Sequence, residues 1–256
     1  MRFRTLAYEK QGPVATVTLN RPEVLNAYNI AMRDDMYEIL EAIRDDPEVR
    51  AAILCGAGEH AFCAGADLTE FGTAPSQAIA RQVRWERDVW GLFLSLDIPI
   101  VAAVHGYVLG SGLEMALLCD IRIAAEDAVF GLPETRLGML PAAGGSQMLP
   151  RLIGTGQALD LLLTGRRINA IKAYDLGLVA RVVPRNQLME EAREVVAAIL
   201  ASDPEGVRRT KKAVQYGMDM ALTEGLEMEA HMAAALFRAR RSPVPAWRGV
   251  RGVMGT

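Results

Sequence analysis

The chain is 256 residues long, 51% apolar and 23% charged, ordinary proportions for one large domain, or one domain plus a smaller appendage, with a real core. A formal net charge of −3 argues against a nucleic-acid binder, and no apolar run reaches the length of a membrane span. The N-terminal MRFRTLAYEK lacks the apolar segment of a signal peptide, and Cys55, Cys63 and Cys119 show no C-x-x-C spacing, so the expectation is a cytoplasmic protein with reduced, packing cysteines.

In chain order, Val14–Leu19 alternates and is rich in β-branched residues, which predicts a strand ended by Asn20-Arg21-Pro22. Asn29 can cap a helix whose apolar positions Met32, Met36, Ile39, Leu40 and Ile43 recur at helical spacing, with Asp45-Asp46-Pro47 as its stop. Ala51–Leu54 reads as a buried strand, and the strand–helix–strand series predicts parallel pairing with right-handed crossovers. Ala61–Leu68, AFCAGADL, is a small-residue loop directly after a strand. Ligands collect at such strand ends, and Ala and Gly let them approach the backbone, although a plain tight turn has the same composition. A long helix is predicted from Ser76 to Leu96, with Ile79, Val83, Val89, Trp90, Phe93 and Leu94 on its apolar face and Trp85 off it; the polar Thr73–Gln77 stretch before it is a candidate lid.

Val101–Asp120, VAAVHGYVLGSGLEMALLCD, organises the rest. A buried strand Val101–Val104, the His105-Gly106 turn, Gly110-Ser111-Gly112 and a helical Leu113–Leu118 follow one another. That order points free backbone N–H groups, at the positive end of a helix dipole, toward a cavity. Glu114 lies in the first helical turn among Leu113, Met115, Ala116, Leu117 and Leu118. It is a dipole partner or a reagent, and its apolar neighbours favour a buried carboxylate that is used or paired. Beyond it, Ile121–Ala124 and Ala128–Phe130 read as short strands, and residues 130–154 as a Gly- and Pro-rich stretch containing Glu134. Leu159–Leu163, Ala170–Leu176, Leu178–Val183 and Leu188–Ala201 then read as helix, helix, strand and helix. Asp203 caps an all-helical region that opens with Pro204, and a second helix runs from about Thr223 to Arg240. The composition shift at Asp203 divides the chain into residues 1–202 and 203–256.

Two carboxyls that meet at one cavity make a general acid/base pair, but the spacing of Glu114 and Glu134 does not by itself bring them together. His105 reads as a packing or turn histidine, and His60 and His231 have no partners at metal-ligand spacing, so no metal is expected. Arg166-Arg167, Arg208-Arg209 and Lys211-Lys212 read as solvated helix faces, though one of them could meet a phosphate group.

LNRPEVLNA, AFCAGADL, HGYVLGSGLEMALLCD, FGLPETRLGMLPAAGGSQMLPRLIG and LLLTGRRINAIKAYDLGLVARVVP, in that order, resemble the enoyl-CoA hydratase (crotonase) family from about Val14 to about Arg240. The resemblance implies an α/β fold, a spiral of repeated β-β-α units with a C-terminal helical trimerisation region. It implies an oxyanion hole made by the backbone N–H groups of Ala66 and Ser111, and Glu114 and Glu134 as the catalytic pair. Glu114 would orient and deprotonate the attacking water, and Glu134 would exchange the proton at Cα. Leu25, Ala27, Ala64, Gly65, Asp67, Leu68 and Gly110 would bind substrate and its coenzyme A. The implied reaction is reversible hydration of a trans-2-enoyl-CoA. It needs no separate cofactor, because coenzyme A enters with the substrate. The implied partners are an acyl-CoA thioester and further copies of the chain, as a trimer or a dimer of trimers, with neither nucleic acid nor membrane. An enoyl-CoA isomerase using one glutamate is the first alternative, and a non-catalytic acyl-CoA or RNA binder the second.

Some positions depart from the family pattern. Ser111 replaces a frequent glycine, Met148 an arginine and Ala142 a glycine. The tail from Arg240 lacks the usual EG-x-x-AF, and Pro243 and Pro245 would break a last helix there. Cys63 stands where the family usually has a small packing residue, so it is not read as a nucleophile.

Overall fold

The computed structural model describes residues 3–70, 72–73, 76, 79, 82 and 86–239. The chain divides into two compact units, 1–202 and 203–256.

In the first unit the strands run in chain order as β1 (Leu6–Gln11), β2 (Val14–Leu19), β3 (Ala51–Gly56), β4 (Ala61–Cys63), β5 (Ile100–Val104), β6 (Tyr107–Leu109), β7 (Ile121–Ala125), β8 (Val129–Gly131), β9 (Ile168–Asn169) and β10 (Arg181–Val183). They form a six-stranded sheet ordered β1-β2-β3-β5-β7-β10 and a four-stranded sheet ordered β4-β6-β8-β9. Pairing is parallel except for the β1–β2 hairpin and the β8–β9 pair. The repeat lies in the alternation between sheets. β3, β5 and β7 enter the large sheet, and each is followed within a few residues by β4, β6 or β8 in the small one. This is the repeated β-β-α arrangement that the family resemblance implies.

β3, β5 and β7 are buried on both faces, which explains their continuous apolar runs. One face carries Ala52, Leu54, Ala102, Val104 and Ala124 against the main core, and the other carries Ile53, Val101, Ala103 and Ile123 against Leu188, Ala192 and Val196.

The helix α1 (Ile30–Asp45) is capped by the Asn29 side chain, which accepts from the Met32 N–H at 2.8 Å, and it buries all five predicted apolar positions. The single helix expected over 76–96 is not continuous. Asp88 starts a new helix, α2 (Val89–Ser95), by accepting from the Gly91 N–H at 3.0 Å. Val89 and Phe93 are buried as expected, Ile79 and Leu94 are exposed, and Leu92 takes a core place. Val83, Trp85, most of the 73–77 segment, and Pro243 and Pro245 lie outside the described residues.

Then come α3 (Ser111–Leu118), α4 (Gly145–Ile153), α5 (Thr155–Thr164), α6 (Ala170–Asp175) and α7 (Leu188–Leu200). Helix α4 falls in the stretch read as Gly- and Pro-rich, and Pro150 inside it hides its helical pattern. Strand β10 is shorter than expected, since Leu178–Ala180 forms the turn that leads into it.

In the second unit, Asp203 caps α8 (Pro204–Gly217) by accepting from the Gly206 N–H at 2.8 Å, with Pro204 at its first position. The following α9 (Leu222–Ala239) packs against α8. Of the residues expected to be buried on several faces, Met228, Met232 and Leu236 are half-buried, whereas Met218, Met220, Leu222, Leu226 and Phe237 are exposed on the single chain. No helix among the described residues is long and apolar enough to cross a membrane.

Candidate active site

The site is built where the loop after β4 meets the start of α3. The Leu25–Tyr28 segment and the Ala64–Asp67 segment are zipped together by backbone bonds. Ala64 N–H donates to Leu25 C=O at 3.0 Å, Tyr28 N–H to Gly65 C=O at 2.8 Å, and Asp67 N–H to Tyr28 C=O at 2.8 Å. Gly65, at φ 115°, breaks the regular alternation of the segment. The pairing uses Ala64 and Asp67 and leaves the Ala66 N–H without an acceptor among the described residues.

Buried Asn26 holds this double segment in place. Its side-chain amide donates to Ala57 and Ala61 carbonyls at 2.9 Å each, and its oxygen accepts from the Arg21 N–H at 2.8 Å. Leu25 and Asn26 are both in the left-handed region, with φ of 56° and 55°. That is an uncommon conformation for a leucine, maintained because the surrounding bonds over-determine it.

Two glycines allow the loop to touch α3. A Cβ on Gly110 (φ +51°) would lie 3.4 Å from the Gly65 Cα and 3.0 Å from Glu134 Oε1, and a Cβ on Gly112 would lie 2.3 Å from the Cys63 carbonyl oxygen. Ala66 and Ser111 each follow one residue after the facing pair Gly65 and Gly110. Ser111 is the first residue of α3, and its N–H also has no acceptor among the described residues.

Glu114 is one turn further along α3, on the same face as Ser111. It is only 3% exposed, and its Oε1 accepts from the N–H groups of Ala143 at 2.8 Å and Gly145 at 2.9 Å. Gly145 begins α4, so the positive end of that helix faces the carboxylate. Both donors suit the ionised form.

Glu134 begins the 3-10 turn Glu134–Leu137 after β8. Its Oε2 is buried with no hydrogen-bond partner among the described residues. Burial pushes its carboxyl above the ordinary carboxylate range, and the nearby Glu114 charge pushes the same way. Two carboxyls in contrasting surroundings, one held by backbone donors and one with an unpartnered buried oxygen, thus stand near one another.

The expected coenzyme A residues Leu25, Ala27, Ala64, Gly65, Asp67, Leu68 and Gly110 fall on this same double segment or at its contact with α3, with Leu68 exposed. The Asp67 carboxylate is engaged within the segment, so its expected part in coenzyme A binding would fall to its backbone. It accepts from the Thr69 hydroxyl at 2.6 Å and pairs with Arg21 at 3.1 Å, and these contacts hold it below its ordinary range. Cys63 is fully buried, its thiol pushed up to about 12 by burial, which leaves no nucleophilic thiolate at neutral pH. His105 is buried and lowered to about 4, mainly by burial, in keeping with a packing role.

The sequence reading did not single out Asn26, Arg21, Ala143 or Gly145. Asn26 and Arg21 were within reach, because LNRPEVLNA places polar groups where a loop must be tied down. The donors at 143 and 145 act through backbone atoms, which no side-chain pattern announces.

Such an arrangement serves a reaction that builds negative charge on a carbonyl oxygen while protons move nearby. The sequence profile of the family described as enoyl-CoA hydratase/isomerase matches residues 9–246. The chain is 40% identical over 230 residues to the short-chain-enoyl-CoA hydratase of Clostridium acetobutylicum, covering 90% of this chain and 88% of that protein. It is 36% identical over 230 residues to the crotonyl-CoA hydratase of Syntrophomonas wolfei, with the same coverages of 90% and 88%. The crystal structure of an enoyl-CoA hydratase from Bacillus anthracis superimposes with a TM-score of 0.87 at 39% identity, over 93% of this chain and 92% of that one. The chain belongs to the enoyl-CoA hydratase/isomerase family.

Proposed function

We propose that this protein is an enoyl-CoA hydratase, adding water reversibly across the double bond of a trans-2-enoyl-CoA thioester to give a 3-hydroxyacyl-CoA. The observation that carries the reading is the contrast between Glu114, fixed by two backbone N–H donors, and half-buried Glu134, whose Oε2 is buried without a hydrogen-bond partner among the described residues. Addition of water needs one base and one acid, and these surroundings supply them. The names of the relatives agree with the reaction.

In the proposed step Glu114 takes a proton from water as the water oxygen bonds to Cβ. The π electrons move onto the thioester oxygen, which becomes an enolate oxyanion between the Ala66 and Ser111 N–H groups. Glu134 gives its proton to Cα, and the carbon–oxygen double bond of the thioester re-forms. Protons exchanged with solvent restore both carboxyls, so water is the only co-reactant and no redox cofactor or metal enters. Donors of this kind are worth about 10²–10³ in rate each, and a positioned acid or base about 10²–10⁴.

The Leu25–Tyr28 and Ala64–Leu68 segments would hold the coenzyme A part, largely through backbone and apolar contacts. The exposed Tyr216, Leu222, Leu226 and Phe237 of the second unit favour self-association, read here as a trimer or a pair of trimers. Three buried cysteines, none of them in a disulfide, fit a reducing, cytoplasmic setting. The test is loss of the conjugated-thioester absorbance with a panel of 2-enoyl-CoAs. No turnover of any of them, alongside migration of the double bond in a 3-enoyl-CoA, would make the protein an isomerase instead.

A further inference from the structure

Arg122 is a buried cation at a place that periodicity assigns to the core. It lies in β7, pairs with Ala102 of β5, and shares the sheet face of Ala102 and Ala124, which packs on the main core. Only 7% of it is exposed. A cation there is costly unless it is used or paired. No carboxylate lies within ion-pair distance of it among the described residues. Its partners are backbone carbonyls. Nε donates to Leu178 at 2.7 Å, and one terminal nitrogen donates to Ala116 at 3.3 Å and Cys119 at 2.5 Å.

Ala116 and Cys119 form the last turn of α3, and Leu178 lies in the turn before β10. The guanidinium therefore closes the negative end of α3 and ties it to the rim of the large sheet. α3 has eight residues, about 12 Å of helix. Its other end carries the Ser111 N–H and Glu114. At that end Gly112 packs closely on the Cys63 carbonyl, which a Cβ there would meet at 2.3 Å. A rigid helix this short transmits an axial displacement from one end to the other.

We propose that Arg122 is a positioning residue for the reaction: by binding the Ala116, Cys119 and Leu178 carbonyls it sets where α3 presents the Ser111 N–H and Glu114. The proposal rests on the oxyanion reading of Ser111 given above. Arg122 touches neither substrate nor reacting atoms. A planar fork suits several carbonyls in fixed directions, whereas the point charge of a lysine cannot reach all three.

The test uses the full-length protein, Arg122→Lys and Arg122→Met, and a conjugated aryl-enoyl-CoA whose absorbance lies clear of the protein's own. Two N–H donors drawing on the thioester oxygen shift that band to longer wavelength on binding. The wild type should show the shift. Arg122→Lys should bind the thioester at full stoichiometry with a smaller shift, and kcat for hydration should fall by about 10–10²-fold, less than or comparable to deletion of a donor outright. Arg122→Met should lose more of both. If it does not fold, the lysine variant decides by the same readout. A loss of folded protein alone lowers stoichiometry but leaves the shift per bound ligand unchanged, and that outcome overturns the proposal. So does a lysine variant with the wild-type shift and kcat. A wild type that binds without any shift would instead overturn the oxyanion reading, and the proposal with it.

Discussion

Gly145→Ala places one methyl group where the geometry can be worked through. The new Cβ would lie 2.9 Å from the Pro141 Cβ, 3.0 Å from Glu114 Oε1 and 3.0 Å from the Leu132 Cδ1. Those separations are below ordinary contact, so something must shift, and the Glu114 carboxylate is one of the three side-chain ends that must give. Moving it lengthens the bonds from the Ala143 and Gly145 N–H groups, now 2.8 and 2.9 Å. One hydrogen bond to a charged group is worth about 1.5–3 kcal/mol. At about 1.4 kcal/mol per tenfold in rate, loss of one such bond costs about 10–10²-fold in kcat. Overpacking should also cost about 1–3 kcal/mol of stability. Hydration is followed by the absorbance of a 2-enoyl-CoA and stability by thermal melting. Gly156→Ala in α5 is the control, since nothing lies within 4 Å of the added methyl. It should leave kcat unchanged. A Gly145→Ala protein with wild-type kcat would refute the argument that these two donors fix Glu114 for catalysis.

Other expectations follow from the same geometry. Ser111→Pro removes one N–H at a helix position that tolerates proline, and it should lower kcat by about 10²–10³, whereas Ser111→Gly keeps the N–H and should be far milder; equal damage in steady-state assays would undo the backbone-donor assignment. Because the Glu134 carboxyl is raised, hydration, which needs its proton, should fall as pH rises through that raised value, and dehydration, the reverse of the same step with one proton on the pair, should fall over the same range; kcat/KM limbs that diverge between the two directions would contradict the shared step. For stability the sign is equally fixed: a carboxyl with a raised folded-state pKa contributes fully below its unfolded value and loses that contribution as pH rises through the folded one. Glu134→Gln should therefore gain stability relative to wild type across that window, and melting curves at a series of pH values would contradict this if the difference stayed constant. Light scattering should give a particle several times the 27.8 kDa chain, and a monomer at micromolar concentration would argue against the oligomer.

The long, regular elements were legible because their residues repeat with the period of the structure. The bounds of β2 and the five buried positions of α1 were readable from alternation and helical spacing alone. Strands β4, β6 and β9 are two or three residues long, too short for any period to show, and they exist because neighbouring turns deliver them to a common sheet. β1 carries Glu9, Lys10 and Gln11 along an exposed edge, so its alternation is diluted by charge. At the site, Glu114 was suspicious because a carboxylate stood among apolar neighbours. Its meeting with the 143–145 backbone depends on a helix that Pro150 disguised. Gly112 illustrates the limit well. In sequence it is one small residue in a run of them, and only the Cys63 carbonyl, far away in the chain, explains it.

The central claim is that both glutamates act on one water and one intermediate, and it is tested most directly by turnover of a 2-enoyl-CoA and a 3-enoyl-CoA by wild type, Glu114→Gln and Glu134→Gln. Glutamine keeps the shape and removes the titratable proton, so each single variant should lose about 10²–10⁴ of the hydration rate. The double variant should fall by far less than the product of the two losses, since the groups work as a unit. Thioester binding should survive in all of them. If Glu114→Gln keeps near wild-type turnover of the 2-enoyl substrate, while one substitution alone abolishes double-bond migration in the 3-enoyl substrate, the two-glutamate hydration mechanism is contradicted.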